Sequence, residues 1–123
     1  MGETYIIVKI RKSPEDENFE ELKLLVDTGA TYSWIDKKIL EKLGIKPVRK
    51  KKFKTISSTI VERDIGYAFI DYDNEAAPTV VVFAEEGDAQ VFGLHGMESL
   101  DLEIDPVTRQ IRKSEALLAL NVS

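Results

Sequence analysis

The sequence predicts a small, mostly β domain, a barrel or a sandwich, with one short α-helix. Three observations lead there. Short runs of alternating or continuous apolar residues recur between polar turn clusters. One stretch alone, Lys37 to Leu43, carries helix periodicity with caps at both ends. No internal repeat, low-complexity tract or linker divides the 123 residues, of which 43% are hydrophobic, so one core and one domain spanning 1–123 are expected.

In chain order, Thr4 to Lys12 alternates around Tyr5, Ile6, Val8 and Ile10 and reads as a strand. Ser13 to Asn18 is a polar loop, and Phe19 to Asp27 forms a second strand that pairs with the first as a hairpin. Tyr32 to Ile35 is a short β-prone run. Asp36 then caps a helix over Lys37 to Leu43, with Ile39, Leu40 and Leu43 on one face and Gly44 at its C-terminal end. Residues 45–48 leave it extended. Phe53 to Ile56 and Thr59 to Ile70 are expected as strands around Ser57-Ser58, with Gly66 marking a bulge or bend. Asp73 to Glu75 is a turn, Thr79 to Ala84 a buried strand, and Glu85 to Asp88 another turn. Gln90 to Phe92 is a short apolar run ending at Gly93, and Gly96 to Leu100 is a brief helix. Residues 102–106 and 110–111 make a last hairpin, and Ala116 to Val122 is apolar enough for a closing strand.

Composition excludes several functions. With 17 basic and 22 acidic residues the net charge is −5, the wrong sign for a general nucleic-acid binder, which must neutralise phosphates. There is no cysteine, so no disulfide, thiolate nucleophile or thiolate metal site exists. The single histidine, His95, lacks the second His or Cys needed for a metal site, and no cofactor motif is present. No apolar run approaches the roughly 20 residues that span a bilayer, and the first residues lack a secretory signal pattern. A cytoplasmic protein that binds neither membrane nor nucleic acid is expected.

Asp27 stands out. Four of the five residues before it, Leu22, Leu24, Leu25 and Val26, are apolar, so a carboxylate sits at the end of an apolar strand. Burial there would raise its pKa unless hydrogen bonds compensate. Thr28 offers a hydroxyl to a neighbouring chain. Gly29 allows an unusual turn and close approach of its amide to the carboxylate, and Ala30 leaves room for a ligand. Read alone, Asp-Thr-Gly is also a common turn.

The run Leu25-Val26-Asp27-Thr28-Gly29-Ala30-Thr31 resembles the active-site motif of retroviral-type (retropepsin-like) aspartic proteases, and especially their small cellular relatives. Trp34-Ile35, the helix ending Leu43-Gly44-Ile45 and a following hairpin keep that family's order. Val91-Phe92-Gly93-Leu94 is similar to its second signature, and residues 100–106 to the ending of the cellular relatives. The resemblance spans residues 4 to 112. It implies a small closed β-barrel and an aspartic endopeptidase in which Asp27 is catalytic, supported by Thr28, Gly29 and Ala30.

Such proteolysis needs two carboxylates sharing a proton around one water. The other Asp-x-Gly run, Asp64-Ile65-Gly66, lacks both the middle hydroxyl and the apolar lead-in, and reads as a strand bulge. One motif per chain makes the second carboxylate the Asp27 of a symmetric partner, and the expected assembly is a homodimer acting on peptides or unfolded protein. Ala30 cannot donate a hydrogen bond to stabilise the charged carboxylate, so the working range is expected to be mildly acidic. The resemblance also places a substrate-covering flap at residues 53–60, with Ile56, Ser57, Ser58 and Thr59 at its tip. Ser57-Ser58 replaces the glycine usual there, which predicts a stiffer tip less able to adopt positive φ. Ile35, Ile56, Ile60, Val91 and Phe92 are candidates to line apolar subsites. His95 reads as a neutral, structurally satisfied residue. The cluster Arg49 to Lys52 reads as a solvated strand edge or as an attractor of acidic substrates. The competing function is a non-enzymatic dimeric peptide-binding barrel of the same fold.

Overall fold

The computed structural model describes residues 3–114, so the closing strand expected over Ala116 to Val122 lies outside the described residues. The elements are β1 (Tyr5–Arg11), β2 (Glu20–Val26), β3 (Ser33–Asp36), α1 (Lys37–Lys42), β4 (Arg49–Lys54), β5 (Ile60–Tyr72) and β6 (Glu75–Ala84). They continue with β7 (Val91–Phe92), α2 (Leu94–Ser99), β8 (Leu102–Ile104) and β9 (Ile111–Lys113). The fold is mostly β, as the sequence predicts.

Seven strands form one sheet in the order β1-β2-β7-β3-β6-β5-β4. A further antiparallel pairing of β1 with β5, Ile10 opposite Ile70, brings the first strand back onto the fifth. Six strands thus make a ring, and β4 hangs from β5 with its other edge unpaired among the described residues. β1 and β2 form the expected hairpin, with Tyr5 opposite Leu25 and Ile10 opposite Glu20. Alternation puts Ile6, Val8 and Ile10 inside, each at most 2% exposed, while Tyr5, Ile7 and Lys9 face out. Phe92, Ile35, Leu40, Ile70 and Val81 are also fully buried. Each such side chain contributes about 1.5–3 kcal/mol of transfer free energy.

α1 forms where the caps predict. The Asp36 carboxylate accepts the Lys38 N–H at 2.8 Å. Gly44 takes φ +78° just past the helix, and the Gly44 and Ile45 N–H groups bond Glu41 O and Leu40 O. That pair of bonds satisfies carbonyls the helix end would otherwise strand.

Three element boundaries and one glycine depart most from expectation. β4 starts at Arg49, inside the Lys-rich run, because an edge strand tolerates the charges that disfavour a central one. β6 starts at Glu75, four residues early. Asp73 and Asn74 both take positive φ, 51° and 65°, giving a two-residue hairpin turn from which the strand resumes at once, through Pro78. α2 begins at Leu94, directly after Gly93, two residues before the brief helix expected from Gly96. Gly66 is no bulge, since β5 and β6 pair without a slip from Ile65 to Tyr72. A Cβ at Gly66 would lie 2.8 Å from the Lys46 carbonyl oxygen, so close backbone approach is what requires glycine there.

Candidate active site

Asp27 is the first residue beyond β2, held by its neighbour strand. β7 inserts between β2 and β3, parallel to β2 with Val26 beside Phe92, and antiparallel to β3 with Trp34 beside Val91. The Asp27 N–H continues this ladder by donating to Phe92 O at 2.9 Å. The Ala30 N–H donates to Asp27 O at 3.1 Å, closing a tight turn. The Gly29 N–H donates to Asp27 Oδ1 at 3.0 Å and fixes the carboxylate. Gly29 does not use positive φ. Its Cβ would lie 3.2 Å from that same oxygen, so the approach of amide to carboxylate, rather than an unusual turn, is what a side chain would disturb.

The second signature braces the first from behind. The Leu94 N–H donates to Ala30 O at 2.8 Å and the His95 N–H to Thr31 O at 2.9 Å. Gly93 is wedged so tightly that a Cβ would fall 2.4 Å from Tyr32 O and 2.8 Å from Ala30 O. Its N–H is taken at 3.0 Å by Oγ of Ser33, which is fully buried. Ser33 was not singled out in the sequence. A lone serine inside a β-prone, apolar run is the signal that points to a buried hydroxyl with a structural partner.

Asp27 and Thr28 are exposed in the single chain, so the apolar strand end presents the carboxylate instead of burying it. On one side of Asp27 opens a cleft of about 700 Å³, walled by Gly29 to Tyr32, Trp34, and Lys51 and Phe53 to Ile56. On the other lies a hollow of about 460 Å³ formed with Thr28, Leu94, Met97, Leu102 and Arg109. Trp34 of β3 and Phe53 of β4 meet edge to face at 4.9 Å between ring centroids, tying the β4–β5 hairpin to the site close to its turn.

The tip of that hairpin is built from hydroxyls. Thr55 Oγ1 and Ser57 Oγ lie 3.1 Å apart, Ser57 Oγ and Thr59 Oγ1 3.3 Å, and the Thr59 N–H donates to Thr55 Oγ1 at 3.2 Å. Ser58 adopts φ +67° despite having a side chain, contrary to the expectation that serine would resist this conformation. Its N–H reaches Thr55 O at 2.9 Å, and the closed turn holds the residue in place. Thr55 and Ile56 face the cleft, whereas Ser57, Ser58 and Thr59 form the turn above it. Ile35, Val91 and Phe92 are core residues, at most 6% exposed, and do not line a subsite. Ile60 is exposed beyond the cleft wall.

The remaining candidates have structural partners. His95 Nδ1 lies 3.2 Å from Thr79 Oγ1 and accepts the Val80 N–H at 3.5 Å, while its ring packs edge-on against Tyr32. Asp64 pairs across strands with Lys50 at 3.0 Å. Among the described residues the most enclosed ion pair is that of Arg63, which grips Asp88 through Nε and Nη2 at 2.7 and 2.9 Å. That guanidinium, helped by the Glu85 N–H, holds the Asp88 carboxyl below the usual carboxylate range. Among the described residues, no group of three or more His, Asp or Glu is placed to hold a metal ion, and no helix is long and apolar enough to cross a membrane.

A family model described as aspartyl protease matches residues 15–98, more than half of the chain, and the chain belongs to that family. Its fold resembles that of the EIAV protease solved in complex with the inhibitor HBY-793. The match has TM-score 0.57 and 20% identity, and covers 80% of this chain and 88% of that one. It also resembles the Simian Foamy Virus (mac) protease, with TM-score 0.50 and 18% identity over 76% and 91% of the two chains. No curated protein sequence matches. The protein is an aspartic-type endopeptidase with a retropepsin-like fold.

Proposed function

We propose that the enzyme works as a homodimer in which the Asp27 carboxylates of two chains activate one water for attack on a peptide bond. The observation that carries this reading is the placement of Asp27. It is exposed at the end of a rigid strand, is oriented by the Gly29 amide, and has only one copy per chain, whereas the chemistry needs two. One carboxylate takes a proton from the water as its oxygen bonds to the peptide carbon. The other, protonated, donates to the carbonyl oxygen. Collapse of the tetrahedral species then breaks the C–N bond and the leaving nitrogen gains a proton.

In that dimer Thr28 meets its counterpart across the two-fold axis, a role supported by its exposure beside Asp27. The apolar hollow next to it, with Leu94 still 38% exposed, supports a face completed by a second chain. The β4–β5 hairpin serves as the flap and carries Ile56 over the cleft, and apolar substrate side chains pack against Tyr32, Trp34, Phe53 and Ile56. Ala30 offers no hydroxyl to the carboxylate, and activity is set in a mildly acidic range.

The test is cleavage of an unfolded protein from about pH 3 to about pH 7, with Asp27→Asn as control. Cleavage by the parent alone, from a dimeric species in sedimentation, is the expected result. Cleavage that survives the substitution, or full activity from a monomer, overturns the reading. A rate maximum below about pH 3 overturns the role given to Ala30.

A further inference from the structure

β4 is an unusual cleft wall. Five of its six residues, Arg49, Lys50, Lys51, Lys52 and Lys54, are cationic in a chain whose net charge is −5. Lys50 is neutralised by Asp64, and the cross-strand partner of Lys51 is Arg63, itself committed to Asp88. Among the described residues no carboxylate pairs with Lys51 or Lys54. Lys51 is half-buried and shares a face of the strand with Phe53, its Nζ 6.0 Å from that ring's centroid. Both residues line the cleft that holds Asp27, the only acidic residue in its wall among the described residues.

The partly buried Lys51 side chain brings its ammonium beside an aromatic wall, and among the described residues no carboxylate serves it as a counter-charge. A substrate carboxylate laid along the cleft supplies one. Resting on the proteolytic reading above, we infer that Lys51 is a specificity residue. It selects peptides carrying a Glu or Asp side chain next to the apolar side chain that packs on Trp34, Phe53 and Ile56. The rest of the β4 cations raise the local concentration of acidic peptides through a field that salt screens. Lys54, exposed at the rim of the cleft, belongs to this second group.

The preference is read by binding, so that it does not depend on turnover. Fluorescent peptides with one apolar pair and Glu or Gln scanned through the flanking positions are titrated into Asp27→Asn protein at about pH 6, where Glu is ionised. At one position Glu is expected to bind about fivefold tighter than Gln. Adding Lys51→Met should bring that ratio to about one, and Lys51→Arg should retain it. The inference is overturned if no position prefers Glu, if the preference survives Lys51→Met, or if Lys54→Met abolishes it instead. Failure of the proteolytic reading shows separately, as absence of turnover by the parent protein with the binding preference intact.

Discussion

The Oγ of Ser33 accepts the N–H of Gly93 at 3.0 Å inside the protein, joining the strand that follows the Asp27 loop to the residue that opens α2. Gly93 has no room for a side chain and its amide has no other route to water, so this hydroxyl is what satisfies it. Ser33→Ala should leave that donor orphaned and cost about 1–3 kcal/mol. Urea denaturation should show a lower midpoint with unchanged slope. An unaltered midpoint would mean the amide finds another acceptor.

Ser58 presents a different balance. A non-glycine residue at φ +67° carries a conformational cost of about 1 kcal/mol, held here by a turn of hydroxyls. Ser58→Gly relieves the strain but frees the unfolded chain, so global stability should move by no more than about 0.5 kcal/mol. Ser58→Val crowds the same conformation further and should loosen the tip locally. Amide exchange at Ser58, whose N–H bonds Thr55 O, should accelerate in Ser58→Val while core amides stay protected. Equal protection in parent and variant would contradict the strain.

These two serines show what could be read from the chain in advance. The β1–β2 hairpin, α1 with its caps and the approach of Gly29 to Asp27 follow from local chemistry, in which each residue's type settles its role. At Ser58 the intrinsic preference against positive φ points the wrong way, because the bonds of the turn override it. Ile35 and Phe92 looked like cleft residues for a related reason. Alternation says that a side chain faces one side of a sheet, but not which side is the interior, and here the ring turns both inward. The insertion of β7 between β2 and β3, on which the Asp27 loop depends, is a long-range pairing of two residues, too short to leave a periodic signal.

The Arg63–Asp88 pair makes stability depend on acid. In the folded chain the Asp88 carboxyl sits below its ordinary range, first because Arg63 bonds it and then because the Glu85 amide does. A carboxyl depressed by folding stabilises the protein above its unfolded value, about 3.9, and loses that contribution as pH falls through the folded one. With both side chains 18% exposed, the parent should exceed Asp88→Asn by about 1–2 kcal/mol at neutral pH. Thermal melts should show the two curves converging below about pH 4. A constant gap at every pH would show that Asp88 acts through shape alone.

Asp27 supplies the test that bears most directly on assembly. The Gly29 amide and the Phe92 ladder hold the loop whatever the side chain's charge, and the carboxylate is exposed in the isolated chain. Asp27→Asn should therefore leave the folding of the single chain within about 0.5 kcal/mol of the parent. Dimerisation is another matter, because it would bring two carboxylates together across the axis. Their repulsion is about 1 kcal/mol at 4 Å even in water, and larger in a closed site. Removing both charges should lower the dimer dissociation constant at neutral pH by roughly fivefold or more. Sedimentation equilibrium of parent and Asp27→Asn at matched ionic strength reads this directly. Equal dissociation constants, alongside lost proteolysis, would mean that the two carboxylates never meet and that the water is activated by a group other than a second Asp27.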